Sequence, residues 1–127
     1  MRIYKTRWLA RFTRCERIAD ESLIEAVERA ERGLIDADLG HGLIKQRVAR
    51  GGQGRSGGYR MLVAYRGGRG RCFVYGFAKS EQAKLEPYQM AAARAIGGDW
   101  LGADGARIER AIEEDELMEI SCDEESD

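Results

Sequence analysis

The side chains of this sequence that are best suited to chemistry are basic and closely spaced. Lys45 and Arg47 are two residues apart, Arg60 follows a glycine-rich stretch, and no Asp or Glu occurs between Leu39 and Ser80. Cations without neighbouring carboxylates bind anions such as the phosphates of a nucleic acid, and tyrosines in the same segment offer rings on which bases can stack. We call residues 39–80 the basic segment. It contains nine Lys and Arg residues: Lys45, Arg47, Arg50, Arg55, Arg60, Arg66, Arg69, Arg71 and Lys79.

The formal net charge of −1 conceals a separation of charge along the chain. Residues 1–80 carry 17 basic and 8 acidic side chains, whereas residues 81–127 carry 4 basic and 14 acidic ones. The first part is therefore predicted to face a polyanion. Residues 113–127 are interpreted as an acidic, solubilising tail. The alternative is that this tail folds back over the basic segment as an internal mimic of nucleic acid.

Length and cysteine spacing favour one domain, placed at 1–112, without a metal or another cofactor. The 127 residues, 43% of them apolar, suffice for one modest core. Cys15, Cys72 and Cys122 have no metal-ligand spacing among themselves or with His41, so reduced thiols and a cytoplasmic location are expected. No apolar stretch approaches the roughly 18 residues of a membrane-spanning helix, so no membrane association is expected. His41, the single imidazole, is either a solvated loop residue or a group for proton transfer.

Hydrophobic periodicity predicts an α+β fold with a central sheet that positions the basic side chains. Within 43–48, alternation directs Ile44 and Val48 to the core and places Lys45 and Arg47 together on the other face. Asp20 is expected to cap the second helix, and 36–42 to form a loop. Strands are predicted at 3–6, 43–48, 59–65 and 72–78, with a short edge strand at 117–122, and helices at 7–17, 21–32, 87–97 and 103–113.

The segment 51–58 contains five glycines and no apolar side chain, so it is predicted to be a mobile loop. It lacks the Gly-Lys-Ser/Thr element of a nucleotide-binding P-loop. We expect the loop to let Arg50 and Arg55 reach a polyanion.

Two short motifs in the predicted sheet resemble those of a known family. Gly58-Tyr59-Arg60 opens one strand, and Gly76-Phe77-Ala78-Lys79 closes the next. In this order and basic setting, roughly residues 3–90 resemble the RelE/ParE superfamily of type II toxin–antitoxin toxins, and the Phe-x-Lys element resembles the HigB-like branch. The resemblance implies N-terminal helices packed on one face of a twisted antiparallel sheet, C-terminal helices, and a basic site on the opposite, concave face.

The resemblance also implies a function and partners. Members of this superfamily are neutralised by a cognate antitoxin. Those of the RelE and HigB branches cleave messenger RNA on the ribosome, whereas those of the ParE branch inhibit DNA gyrase by binding. RNA cleavage by attack of a 2′-hydroxyl on its own phosphate needs a proton acceptor, stabilisation of the phosphorane and a proton donor for the 5′-oxygen. Lys and Arg can stabilise this charge without a metal, and a cluster of like charges lowers the pKa of a member lysine.

The resemblance assigns catalytic roles to four basic residues. Lys45 and Arg47 match the paired cations before the glycine loop, Arg60 matches the arginine that contacts the scissile phosphate, and Lys79 matches the lysine after the last core strand. The RNA-binding residues are predicted to be Arg50, Arg55, Tyr59, Tyr75 and Ser80.

This sequence departs from RelE at two positions. Ser80 and Glu86 stand where RelE has an arginine and a tyrosine that carry out much of its chemistry. Lys79, Tyr59, Tyr75 and His41 are the substitutes by residue type, or the target differs.

Each of these residues also has a structural interpretation. Lys45 and Arg47 can form the solvated face of a strand, Arg60 can bind carbonyls or acids of the second helix, and Tyr59 and Tyr75 can be packed against a helix. The leading hypothesis is a metal-independent endoribonuclease toxin. A ParE-like gyrase inhibitor and a non-catalytic nucleic-acid-binding module are the alternatives.

Overall fold

The fold is mixed α+β, with a six-stranded sheet and four helices in the part of the chain that the computed structural model describes, residues 2–49, 58–67, 70–82 and 84–120. The strands are β1 (Ile3–Thr6), β2 (Ala37–Gly40), β3 (Leu43–Val48), β4 (Tyr59–Tyr65), β5 (Arg71–Ala78) and β6 (Leu117–Ile120). The helices are α1 (Arg7–Glu16), α2 (Asp20–Glu31), α3 (Pro87–Leu101) and α4 (Gly105–Glu113).

The sheet has the strand order β2-β3-β4-β5-β1-β6. β1 pairs in parallel with β5, and the other pairings are antiparallel. The expectation of an antiparallel sheet is therefore corrected at one pairing. A parallel neighbour requires a long connection, and the helices and strands between β1 and β5 provide it.

Helices pack on both faces of the sheet. On the face that we call the α1 face, Leu9 and Val27 of the helices meet Ile44, Met61 and Phe73 of the strands. On the opposite face, which we call the α3 face, a second core joins Ala93 and Ala111 of α3 and α4 to Leu43, Leu62, Ala64 and Val74. The face expected to carry the basic site is thus covered over part of its area.

Helix α3 is longer than the sequence predicts, because it continues through Gly97-Gly98 to Leu101. Gly97 is buried, and a Cβ added there would lie 3.1 Å from Ala64 Cβ and 3.7 Å from Leu43 Cδ1. These glycines therefore do not end the helix. Gly97 instead permits close packing of α3 on the sheet.

Two further details of the secondary structure differ from the sequence prediction, and one agrees with it. The N-cap of α2 is Ala19, and Asp20 lies in the first turn, where its carboxylate pairs with Lys5 Nζ at 2.9 Å. The expected loop 36–42 contains strand β2, which pairs with β3. The expected edge strand is present at Leu117–Ile120, and Leu117 and Ile120 are buried, so the sheet extends into the segment interpreted as a tail.

No helix in the described ranges combines the length and apolar character needed to cross a membrane.

Candidate nucleic-acid interface

The pairing of β3 with β4 brings three basic side chains to one region of the α3 face. Arg47 lies directly opposite Arg60, and Lys45 lies opposite Leu62. Ile44 and Val48 pack in the core of the α1 face, so alternation places Lys45 and Arg47 on the opposite face, as the sequence predicts. Leu62 belongs to the core of the α3 face, and Arg60 shares its face by the same alternation. We call Lys45, Arg47 and Arg60 the basic cluster.

The side chain of Arg47 is exposed and lies near the carboxylate of Asp36. Its side chain is 45% exposed, and its Nε lies 3.6 Å from Asp36 Oδ1. The Arg47 backbone N–H also donates to Asp36 Oδ2 at 2.7 Å. Burial raises the pKa of Asp36, but hydrogen bonds from Arg47 and Arg29 and the charges of both arginines outweigh burial and hold this pKa below its ordinary value. Asp36 is therefore an anion that offsets part of the charge of Arg47.

Arg60 is half-buried in a positive environment. Burial, followed by the charge of Arg47, lowers the pKa of Arg60, and Asp36 opposes this effect. Its Nη1 donates to the carbonyl oxygen of Tyr59 at 3.4 Å. The charge of Arg47 opposite Arg60 makes this part of the surface favourable for an anion.

Side chains on the other side of β3 fix the position of Arg47. Gln46 is fully buried, and its Nε2 donates to the carbonyl oxygens of Ala26 at 2.9 Å and Leu34 at 3.2 Å. Its Oε1 accepts from the Asp36 backbone N–H at 2.7 Å. Arg29, also buried, donates to the carbonyl oxygen of Arg47. Sequence reasoning missed Asp36, Gln46 and Arg29. Asp36 lies just outside the acid-free segment, and only the pairing of β2 with β3 brings it beside Arg47.

Lys79 and Ser80 lie at the same end of the sheet as the Arg47–Arg60 pair. They follow β5 in a turn, and both are exposed. The Lys79 backbone N–H donates to the Gly58 carbonyl oxygen at 3.0 Å, and Ala78 pairs with Tyr59. Arg50 and Arg55 lie outside the described residues.

The tyrosines of the basic segment are engaged in packing. Tyr59 is 2% exposed, and its hydroxyl donates to Glu16 Oε1 at 2.9 Å on the α1 face. Its ring has no face free for a base, so we leave Tyr59 out of the proposed site. Tyr75 stacks on Trp8 with centroids 4.6 Å apart, and its hydroxyl accepts from Gln89 Nε2 at 2.9 Å. Tyr75 is half-buried on the α3 face, beside Phe77.

His41 lies away from the basic cluster. It occupies the turn between β2 and β3 with a φ of 57°, and the strand rise places it roughly 20 Å along the chain from Arg47. His41 therefore lies at the opposite end of β3 from Arg47, and we leave it out of the proposed catalytic residues.

Glu86, at the second position of departure from RelE, is the residue that precedes α3. It is the N-cap of that helix, and its backbone N–H donates to Gln89 Oε1 at 2.9 Å. Glu86 therefore has a structural role at the start of α3.

The basic cluster and the surrounding fold were compared with known proteins. A family model described as "RelE toxin of RelE / RelB toxin-antitoxin system" matches residues 1–120. The chain belongs to the RelE toxin family. The match to RelE spans the sheet from β1 to β6 and includes the basic cluster. Comparisons with curated proteins and with solved structures found no match.

Membership of the RelE family gives this chain the role of toxin in a toxin–antitoxin system. It also implies an antitoxin as a partner. The RelE toxin described here has a cross-strand arginine pair, a lysine two residues before one of these arginines, and a second lysine at the same end of the sheet. This arrangement can grip a phosphate and stabilise negative charge on it.

Proposed function

We propose that this RelE toxin is a metal-independent endoribonuclease that cleaves messenger RNA on the ribosome. The observation that supports the proposal is the Arg47–Arg60 pair, with Lys45 on the same face of the sheet. Like charges directly opposite each other destabilise a strand pair. A sheet that keeps this arrangement is suited to bind an anion between the two guanidinium groups, and a phosphodiester is such an anion.

The basic residues would supply most of what the cleavage reaction needs. Arg47 and Arg60 would hold the scissile phosphate through charge-assisted hydrogen bonds and stabilise the phosphorane that forms when the 2′-hydroxyl attacks. The 2′-hydroxyl would lose its proton to water, and the ammonium group of Lys45 or Lys79 would donate a proton to the departing 5′-oxygen, while both lysines add positive charge. Because Asp36 and its neighbours position Arg47, that arginine would be oriented before the substrate arrives.

Within the family, we place the toxin in the HigB-like branch. The support is Phe77-Ala78-Lys79, which ends β5 and begins the turn beside the basic cluster. Lys79, the lysine of this element, is the second lysine that the proposed mechanism uses.

A ParE-like inhibitor of DNA gyrase is the second candidate function. It is favoured by Ser80 and Glu86, the first of which lies in an exposed turn while the second caps α3. Serine and glutamate cannot supply the guanidinium group of the arginine or the phenol of the tyrosine that RelE has at these positions. An inhibitor that acts by binding would not need those groups.

Primer extension on messenger RNA after induced expression would separate the two functions, with supercoiling by purified gyrase measured in parallel. The endoribonuclease proposal predicts cuts at defined codon positions and unimpaired supercoiling. Inhibited supercoiling with intact messenger RNA would support the gyrase alternative and overturn the proposal.

A further inference from the structure

A basic cleft lies at the end of β3 and β4 farthest from the Arg47–Arg60 pair. Its volume is about 700 Å³. It is formed by the turn before β3, the end of β4 and one flank of α3, and it is lined by His41, Gly42, Arg66, Ala91, Arg94, Ala95 and Gly98. We call it the α3 cleft.

The cations of the α3 cleft have no acidic partner among the described residues. Arg94 is held in place because its Nη2 donates to the Leu39 carbonyl oxygen of β2. The Arg94 Nε is buried, and within the described ranges no group accepts its hydrogen. A buried donor without an acceptor is rare in folded proteins, and a bound water is one explanation. Arg66 and His41 are exposed and add donors.

The α3 cleft lies on the same face of the sheet as the basic cluster. Leu43 packs beneath Gly97 of α3, and Lys45 and Arg47 follow on the same face of β3. From Gly42 to Arg47 the strand spans about 17 Å. Positive side chains therefore stand at both ends of this span, with Lys45 between them. A nucleic acid strand carries one negatively charged phosphate per nucleotide, so one strand can contact all of these side chains.

The lining of the α3 cleft favours a nucleic acid backbone over a folded protein partner. Ala91, Ala95 and Gly98 are small, so they allow close approach but offer little apolar surface. The exposed aromatic surface of α3 lies on its other flank, where Trp8 and Tyr88 line a separate groove.

We propose that the α3 cleft binds a phosphate of the RNA strand whose scissile phosphate lies at the Arg47–Arg60 pair. The inference rests on the proposed function and extends it, because it sets the path of the RNA along β3. The cleft would fix the RNA several nucleotides from the cut, and catalysis would remain with the basic cluster.

The test uses fluorescein-labelled 2′-O-methyl RNA, which has no attacking hydroxyl, as a trinucleotide and as a dodecanucleotide. For Arg66→Gln/Arg94→Gln, the dodecanucleotide should bind more weakly, and the slope of log K against log salt should fall by about 0.7 for the lost phosphate contact. Binding of the trinucleotide should be unchanged. The control, Arg11→Gln/Arg110→Gln, removes two exposed charges outside the cleft and should keep the wild-type slope.

Two further variants guard against a structural effect of losing the Arg94 contact with β2. Arg66→Gln alone changes an exposed side chain and should still weaken dodecanucleotide binding. Arg94→Lys keeps the charge and should retain most of the slope.

Several results would overturn the inference. They are equal slopes for the cleft variant and the control, an equal loss of affinity for both oligonucleotides, or weaker binding of a glutamate-rich peptide with unchanged RNA binding. The last result would assign the cleft to an acidic protein partner. Failure of the proposed function gives a different pattern, in which wild-type toxin cuts no messenger RNA. If wild-type toxin cuts messenger RNA and the cleft variant binds RNA as tightly as wild type, the proposal for the α3 cleft is wrong and the proposed function stands.

Discussion

At the residue scale, the notable feature is the placement of two arginines opposite each other on neighbouring strands. Asp36 offsets only part of this charge, and burial together with Arg47 lowers the pKa of Arg60. Two guanidinium groups side by side attract an anion such as a phosphate. Arg71, by contrast, bonds Glu31 at 2.9 Å.

The Glu31 carboxylate should make stability depend on pH in acid. Its hydrogen bonds with Arg71, and then with Tyr65, hold the pKa of Glu31 below its ordinary value of 4.5. The stability that this carboxylate contributes is therefore fully present above pH 4.5 and is lost as pH falls through the depressed, folded-state pKa. Glu31→Gln should lower the free energy of unfolding at neutral pH by about 1–3 kcal/mol, because the buried Arg71 loses its anion.

Urea unfolding at a series of pH values checks this prediction. The difference between Glu31→Gln and wild type should shrink below pH 4.5. Glu28→Gln, an exposed change on the same helix, serves as the control and should follow wild type throughout. A Glu31→Gln protein as stable as wild type at neutral pH would refute the assigned role of Glu31.

At the element scale, β3 links the fold to the site, and it also shows what the sequence could predict. Alternation within β3 correctly assigned Ile44 and Val48 to the core. Strand β2 was missed because Ala-Asp-Leu-Gly has no β-branched residue and forms a strand through its pairing with β3. Helix α3 was predicted too short because the packing that requires Gly97 cannot be seen in the sequence.

The candidate site was predictable only in part, for a related physical reason. The basic segment identified Lys45, Arg47 and Arg60. Counting charges along the chain could not reveal that Asp36 lies beside Arg47 or that Tyr59 points to the other face. Those facts depend on strand pairing, which joins residues distant in sequence.

Gln46→Leu should test how far β3 depends on its buried amide. The substitution would leave the Ala26 and Leu34 carbonyl oxygens and the Asp36 N–H without their partner. We expect the free energy of unfolding to fall by about 2–4 kcal/mol. Ile44→Val, which removes one methylene from the same strand, should lower it by only about 0.5–1.5 kcal/mol. Urea titrations measure both, and a Gln46→Leu midpoint at or above that of Ile44→Val would contradict the role of Gln46.

At the scale of the whole molecule, the strand order separates the charges that the sequence already divides. β3 and its cations lie toward one edge of the sheet, and β6 forms the opposite edge. There Glu119 and Glu109 pair with Arg2. A molecule with one basic region attracts polyanions and acidic partners from a distance, and salt weakens this attraction.

The antitoxin should therefore bind across the basic cluster, and its association should slow as ionic strength rises. An acidic or amphipathic antitoxin segment would relieve the repulsion within the cluster and exclude RNA. Stopped-flow association rates against salt concentration, together with hydrogen exchange, measure this. Protection confined to residues 113–127, with association rates independent of salt, would show that the antitoxin does not bind across the basic cluster, and the prediction would be wrong.

The most direct test of the central claim is messenger RNA cleavage by the purified toxin on programmed ribosomes, measured by primer extension. The claim predicts that wild type cuts the message and that Arg60→Ala cuts about 10²–10³-fold more slowly while remaining folded by circular dichroism. Arg11→Ala, an exposed change on α1, should cut as wild type does. A folded Arg60→Ala protein that cuts at the wild-type rate, or a wild-type protein that leaves the message intact, would contradict the claim.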